Sequence, residues 1–207
     1  KISGSNGSFS TAFGAHTGIG TLPILLYGDD AQREKYLPKL ATGEWMGCYC
    51  LTEPGAGSDA NSGKTKAVLT DDERHYLITG QKMWISNAGF SDIFIVFARI
   101  EDDKNITTFI LENGMEGMTL GEEEYKLGLN SSSTRQVFFN DVKVPVESML
   151  GGRGNGFKIA MNALNVGRIK LSAGVLDACR RVTTLSTSYA NERIQFGIPI
   201  AKFGAIK

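Results

Sequence analysis

The sequence predicts an α+β chain with an antiparallel β-barrel or sandwich in the middle, flanked by parts of two helical bundle domains. Three observations carry that expectation. Good helix formers follow a capping residue near the start, short β-branched and aromatic runs crowd the middle, and an apolar seam with helical spacing closes the chain. The boundaries expected from these changes of pattern are 1–45 helical, 46–152 β and 153–207 helical.

In the first region, Asp29-Asp30 precedes Ala31-Gln32-Arg33-Glu34-Lys35-Tyr36-Leu37. That is an N-cap ahead of good helix formers, with Pro38 near the far end and Gly43 as a stop. Phe13 to Leu26 is apolar and punctuated by glycine, which predicts a buried helical piece. The middle region carries Tyr76–Thr79, Lys82–Ile85, Ile93–Phe97, Ile106–Leu111 and Val137–Phe139 as strand candidates. Gly80, Asn87-Ala88-Gly89, Asp102-Asp103, Glu112-Asn113-Gly114 and Asn140-Asp141 separate them. Strands at this density, without helices between them, predict a barrel or sandwich. Gly151-Gly152-Arg153-Gly154-Asn155-Gly156 lacks the dinucleotide-binding spacing and is expected to be a flexible connector. Beyond it, Leu171, Val175, Ala178, Val182, Leu185 and Tyr189 alternate steps of four and three, the seam of a helix packed in a bundle. The chain starts in mid-pattern without methionine and stops at Ile206-Lys207 without a terminator, so it reads as a piece of a longer protein.

Composition excludes several classes. Twenty-two Lys+Arg balance twenty-two Asp+Glu, which removes the basic excess that nucleic acid or an anionic membrane surface would require. No apolar run is long enough for a transmembrane helix, and the first residues carry no signal or targeting segment. Three cysteines without a framework point to a reducing compartment. His16 and His75 stand far apart with no metal-ligand spacing, so no metal site is expected, and no Walker-type phosphate-cradling loop is expected either. His16, His75, Cys48 and Cys179 are expected to be packing or surface residues.

Two segments could carry chemistry. Gly47 to Thr52 reads as an extended piece running into the Pro54-Gly55 turn and the small residues up to Asp59. Such a loop exposes backbone N–H groups and the hydroxyls of Thr52 and Ser58, donors suited to a planar ring rich in acceptors. On a regular strand, Trp84 and Ser86 share a face, placing an indole beside a hydroxyl. Each segment alone also admits a plainer reading: an ordinary tight turn, or a core indole beside a solvated serine.

Together they are more specific. Leu51-Thr52-Glu53-Pro54-Gly55-Ala56-Gly57-Ser58-Asp59 followed by Gly80-Gln81-Lys82-Met83-Trp84-Ile85-Ser86-Asn87 resembles the acyl-CoA dehydrogenases. The resemblance extends through Tyr36–Glu44, Lys126-Leu127-Gly128, Val142–Pro145, Leu164–Arg168 and Arg193–Gly197, in order along essentially the whole chain. Gly14-Ala15-His16 and Asn165-Val166-Gly167-Arg168 are most similar to the long and very-long-chain branch.

The resemblance implies FAD as cofactor and a fatty acyl-CoA as substrate. Tyr49, Leu51 and Thr52 would contact the edge of the flavin ring, and Gly57 and Ile85 would also bind the cofactor. Ser58 would lie where flavin and substrate meet, Trp84 would pack on the flavin face, and Ser86 would hydrogen-bond the ring. Asn165 and Arg168 would touch the CoA moiety, while Arg193, Gln195 and Phe196 would reach the FAD of a neighbouring subunit, implying a dimer or tetramer. The implied electron acceptor is an electron-transfer flavoprotein, and the implied location is bacterial cytoplasm or the mitochondrial matrix. The family places its catalytic base either just before the arginine of the Asn-Val-Gly-Arg stretch or in the later helical domain. The earlier position here is Gly167, so no catalytic base is expected within this chain. Glu53 and Asp59 are expected to be turn and sheet-rim residues. An acyl-CoA oxidase using O₂, or a non-catalytic assembly protein retaining the fold, are the alternatives.

Overall fold

The structure, a computed structural model, describes residues 2–206; Lys1 and Lys207, where the sequence pattern breaks off, lie outside the described residues. The chain opens with α1 (Ile2–Ser5), α2 (Gly7–Gly14), a π-helical turn (Ala15–Gly20), α3 (Leu22–Tyr27) and α4 (Asp30–Thr42). The strands β1 (Gly47–Cys50), β2 (Lys66–Leu69), β3 (His75–Ser86), β4 (Ile93–Ile100), β5 (Thr107–Glu112), β6 (Met118–Glu123), β7 (Thr134–Pro145) and β8 (Met149–Leu150) follow. A long α5 (Gly156–Glu192) and a small hairpin, β9 (Ile194–Gln195) with β10 (Ile198–Pro199), complete it. Among the described residues no helix is long and apolar enough to cross a membrane.

Helix α4 forms where its capping residues predict. The Asp29 carboxylate accepts from the Gln32 N–H at 2.7 Å, the Gln32 side chain accepts from the Asp29 N–H at 3.2 Å, and Gly43 closes the helix with φ 78°. Gln32 is buried, and its amide also donates to the carbonyls of Glu147 and Met149 at 2.8 and 3.0 Å. One residue therefore caps the helix and fastens it beside β8 without leaving a buried polar group unpaired.

The eight strands make one sheet in the order β6-β7-β3-β2-β4-β5-β8, with β1 also paired to β4. It does not close into a barrel; its two halves face each other as a sandwich. Strand β4 is buried on both faces, which is why Ile93–Ile100 reads as a continuous apolar run rather than an alternating one. Phe94, Val96, Ala98 and Ile100 enter the core between the sheet halves, packed with Ile78, Phe109, Val137 and Val142. Ile93, Ile95 and Phe97 face the other way, onto Ile24, Leu40, Ile159 and Ala163 of α3, α4 and α5. Burying such side chains contributes about 1.5–3 kcal/mol each. The molecule is thus a three-layer stack of helices, inner sheet half and outer sheet half.

Four local expectations need correction. Most pairings are antiparallel, but β1 and β2 both run parallel to β4, along successive parts of the same edge. Phe13–Leu26 is not one buried helix: Ala15, His16, Gly18, Pro23 and Ile24 are buried, while Phe13, Leu25 and Leu26 stand about half exposed around the π-helical turn. The 151–156 connector is pinned rather than flexible. Arg153 makes a two-point contact with the Asp103 carboxylate at 2.7 and 2.8 Å, and the Gly154 N–H donates to the Thr107 hydroxyl at 2.8 Å. The α5 seam is continuous, yet Leu171, Val175, Val182, Leu185 and Tyr189 are exposed, although α1, α2, the π-helical turn, α3, β5 and β10 all touch the long helix.

Candidate functional site

Three walls meet in a cleft of about 300 Å³ between the sheet and α5. The first wall follows from the parallel pairing. Cys50 pairs with Val96 and Lys66 with Arg99, so residues 51–65 are looped out of the ladder over a short advance of β4. Glu53 and Ala56 exchange both backbone hydrogen bonds at 3.1 Å around Pro54-Gly55, making the expected tight turn. Tyr49, Leu51, Thr52, Gly57, Ser58 and Ala60 line the cleft from this side.

A bulge in β3 shapes the second wall. The β3–β7 register shifts between Lys82 and Ile85, and Trp84 takes φ 56°, a conformation rare for a bulky residue. The plain alternation expected for Trp84 and Ser86 is therefore interrupted, yet both side chains line the cleft together with Ile85. The Trp84 indole is 61% exposed, a large apolar surface left open on the cleft.

Met161, Leu164 and Arg168 of α5 form the third wall, with Ile19 from the π-helical turn. Gly20 and Gly47 bring Ile19 there. A Cβ on Gly20 would lie 2.7 Å from the Gly47 carbonyl, so only this glycine pair lets the turn sit directly on β1. His16 fastens the same junction: its Nδ1 accepts the Gly47 N–H at 3.1 Å, which leaves Nε2 to donate to the Leu40 carbonyl at 3.0 Å.

The polar groups of the cleft divide into engaged and free. The Tyr49 hydroxyl donates to the Ala160 carbonyl at 3.2 Å, and burial pushes its phenol far above the usual tyrosine range. The hydroxyls of Thr52, Ser58 and Ser86 have no hydrogen-bond partner among the described residues. Arg168 donates to the Asn165 side chain at 2.9 Å. Asn165 itself does not line the cleft but steadies the guanidinium that does. Arg193, Gln195 and Phe196 are not part of it; they sit on the β9–β10 hairpin, with Phe196 93% exposed.

Sequence reasoning missed what lies behind the first two walls. Glu53 is buried, not a rim residue, and its carboxylate is 2.6 Å from the Lys82 ammonium. Burial pulls Lys82 below the usual lysine range. Burial pushes Glu53 upward, but the Lys82 charge and hydrogen bonds outweigh it and hold the carboxyl low. A signal existed: on β3, Lys82 shares its face with Tyr76 and Ile78, both core residues. A Gly-Lys-Thr triplet also occurs at Gly63-Lys64-Thr65, but Ser58 stands where a phosphate loop needs its leading glycine, and the Lys64 and Thr65 N–H groups are given to Glu53. Among the described residues no group of three His, Cys, Asp or Glu is placed to hold a metal ion.

An open indole, three unpartnered hydroxyls and an arginine surround the cleft, groups of the kind that suit a small molecule with a planar, polar ring. Family models describe the same three regions: "Acyl-CoA dehydrogenase, N-terminal domain" matches residues 1–44, the middle domain 48–142 and the C-terminal domain 154–207. The chain belongs to the acyl-CoA dehydrogenase family. It is 50% identical to a probable acyl-CoA dehydrogenase of Bacillus subtilis over 95% of this chain and 33% of the relative. It is 46% identical to the human very long-chain specific acyl-CoA dehydrogenase over 94% of this chain and 31% of that one. A crystal structure of an acyl-CoA dehydrogenase complexed with FAD from Bacillus anthracis superimposes with a TM-score of 0.93 at 47% identity, covering 96% of this chain and 35% of that chain. The chain spans about a third of the length of these relatives.

Proposed function

We propose that this chain forms the flavin-holding part of an FAD-dependent acyl-CoA dehydrogenase acting on fatty acyl-CoA thioesters. The observation that carries the reading is the convergence of the free Thr52, Ser58 and Ser86 hydroxyls with the open Trp84 indole on one cleft. Those groups fit FAD: the hydroxyls offer donors to the acceptor atoms along a flavin edge, and the indole offers a flat apolar face. Bound FAD supplies the hydride-accepting chemistry that takes the substrate's β-hydrogen.

The chain's own residues do the binding and orienting. Thr52 and Ser86 set the ring by hydrogen bonding from two sides, Trp84 covers it, and Leu51, Ile85 and Ile19 keep water from its edge. Ser58 and Arg168 also line the cleft, where the guanidinium suits an anionic thioester carrier and Asn165 fixes its direction. Arg193, Gln195 and Phe196, exposed on their hairpin, suit contact with the cofactor of a second subunit in a homo-oligomer. An electron-transfer flavoprotein is the proposed acceptor, and bacterial cytoplasm or mitochondrial matrix the proposed location.

The test is reconstitution of the full-length protein with FAD, followed by anaerobic addition of acyl-CoAs of graded chain length. Uptake of FAD with bleaching by a long-chain thioester is expected; no uptake sinks the reading. Turnover in air with release of peroxide, independent of electron-transfer flavoprotein, would place the enzyme with the oxidases instead.

A further inference from the structure

Lys82 has one of the largest side chains buried completely in the molecule, 1% exposed, and it sits immediately before the bulge that presents Trp84. Its ammonium donates to the Leu51 carbonyl at 3.3 Å and to Glu53 at 2.6 Å, while the next N–H, that of Met83, donates to the Thr52 carbonyl at 3.0 Å. Glu53 in turn accepts the Lys64 and Thr65 N–H groups at 2.6 and 3.1 Å, and Gly63 passes so close that a Cβ there would come within 2.8 Å of its carboxylate. Both ends of the looped-out 51–65 segment are thus gathered on one carboxylate, and that carboxylate is tied to the strand carrying the opposite wall.

We infer that Glu53 and Lys82 are positioning residues whose ion pair sets the spacing between the Thr52–Ser58 rim and the Trp84–Ser86 rim of the cleft. A buried ion pair is a poor device for stability, because desolvation cancels most of its attraction. It is a good device for register, because an ammonium with all its partners fixed admits one arrangement of the chains it joins. The pair touches no ligand itself; it acts through Thr52 and Trp84. The inference rests on the proposed cofactor reading only for what occupies the cleft.

The test removes both charges together, as Glu53→Gln with Lys82→Met in the full-length protein, so that neither charge is left buried alone. Hydrogen exchange is followed peptide by peptide. Residues 51–58 and 82–86 are expected to exchange about tenfold faster while β4 and β5 keep their protection. FAD, titrated by flavin fluorescence, is expected to bind about tenfold more weakly even though the melting temperature changes little. A rise of less than about threefold at the two rims, or an equal rise in β4 and β5, overturns the positioning role. So does unchanged FAD affinity beside loosened rims. If the parent protein takes up no FAD, the cofactor reading falls, and the exchange pattern alone still decides the role of the pair. Glu53→Asp, which keeps the charge but withdraws it by one methylene, is judged by the same criteria should the double variant not fold.

Discussion

Trp84 shows how much of the site depends on single residues. A bulky residue at φ 56° is strained, and it persists because Met83 is bonded to Thr52 on one side and Ile85 pairs with Arg135 on the other. What the strain secures is an indole on the cleft instead of in the core. Trp84→Ala is therefore expected to weaken FAD binding by about 1–3 kcal/mol, the worth of one aromatic stacking contact. Flavin retained by the full-length protein after exhaustive dialysis measures this, and unchanged occupancy would remove Trp84 from its role. Ser86→Ala should leave occupancy nearly intact and slow flavin reduction in stopped-flow mixing, since a single hydrogen bond orients the ring more than it holds it. Thr52, Ser58, Trp84 and Ser86 were legible in the sequence because small hydroxyls and an aromatic cluster in two short segments. Ile19 was not: it reaches the cleft through the Gly20–Gly47 contact, which joins parts of the chain with no shared local pattern. The buried Glu53 was misjudged because its partner is on another strand.

Local chemistry fixed most elements, and their pairing was harder to see. Both hydrogen bonds of the Asp29–Gln32 capping box are present, so Asp29→Ala should cost about 1 kcal/mol, read from the midpoint of urea unfolding. The same helix is joined to β5 where Glu112 accepts from the Lys35 ammonium at 2.6 Å and the Tyr36 hydroxyl at 3.0 Å. Burial pushes the Glu112 carboxyl upward, but these two donors outweigh it and hold it below the usual glutamate range. A carboxyl lowered in the folded state contributes stability above its unfolded value, and that contribution is lost as pH falls through the folded one. Unfolding midpoints should accordingly fall below about pH 4.3, and Glu112→Gln should flatten that part of the profile. An identical slope in the variant would show that other carboxylates carry it. The helix cap and the apolar runs within β3, β4, β5 and β7 could be read locally, but Gly80 and Asn140-Asp141, expected as separating turns, lie inside β3 and β7. The parallel alignment of β1 and β2 with β4 could not, because it depends on where the 51–65 loop returns to the sheet. That unread return is what builds one wall of the cleft.

Taken as a whole, the molecule offers binding groups on every wall of the cleft and no carboxylate on any of them. The lining residues from Ile19 to Arg168 include no Asp or Glu among the described residues, and Glu53, which lies behind the wall, is committed to Lys82. At Gly167 there is room for a side chain, since a Cβ would meet only the Ile19 side chain at 3.6 Å, but none is present. Proton abstraction from a thioester requires a base within hydrogen-bond reach of the substrate carbon, and a positioned base is worth about 10²–10⁴-fold. The 207-residue chain saturated with FAD is therefore expected to bind acyl-CoA without bleaching the flavin. Anaerobic stopped-flow mixing with thioesters of several chain lengths makes the measurement. A shift of the flavin spectrum without loss of its absorbance is the expected signature, because Arg168 and Ser58 of the cleft lining can still engage the ligand. Rapid bleaching would mean that a carboxylate from within these residues reaches the substrate. The first candidate would then be Glu53 released from Lys82, a rearrangement that Glu53→Gln would abolish.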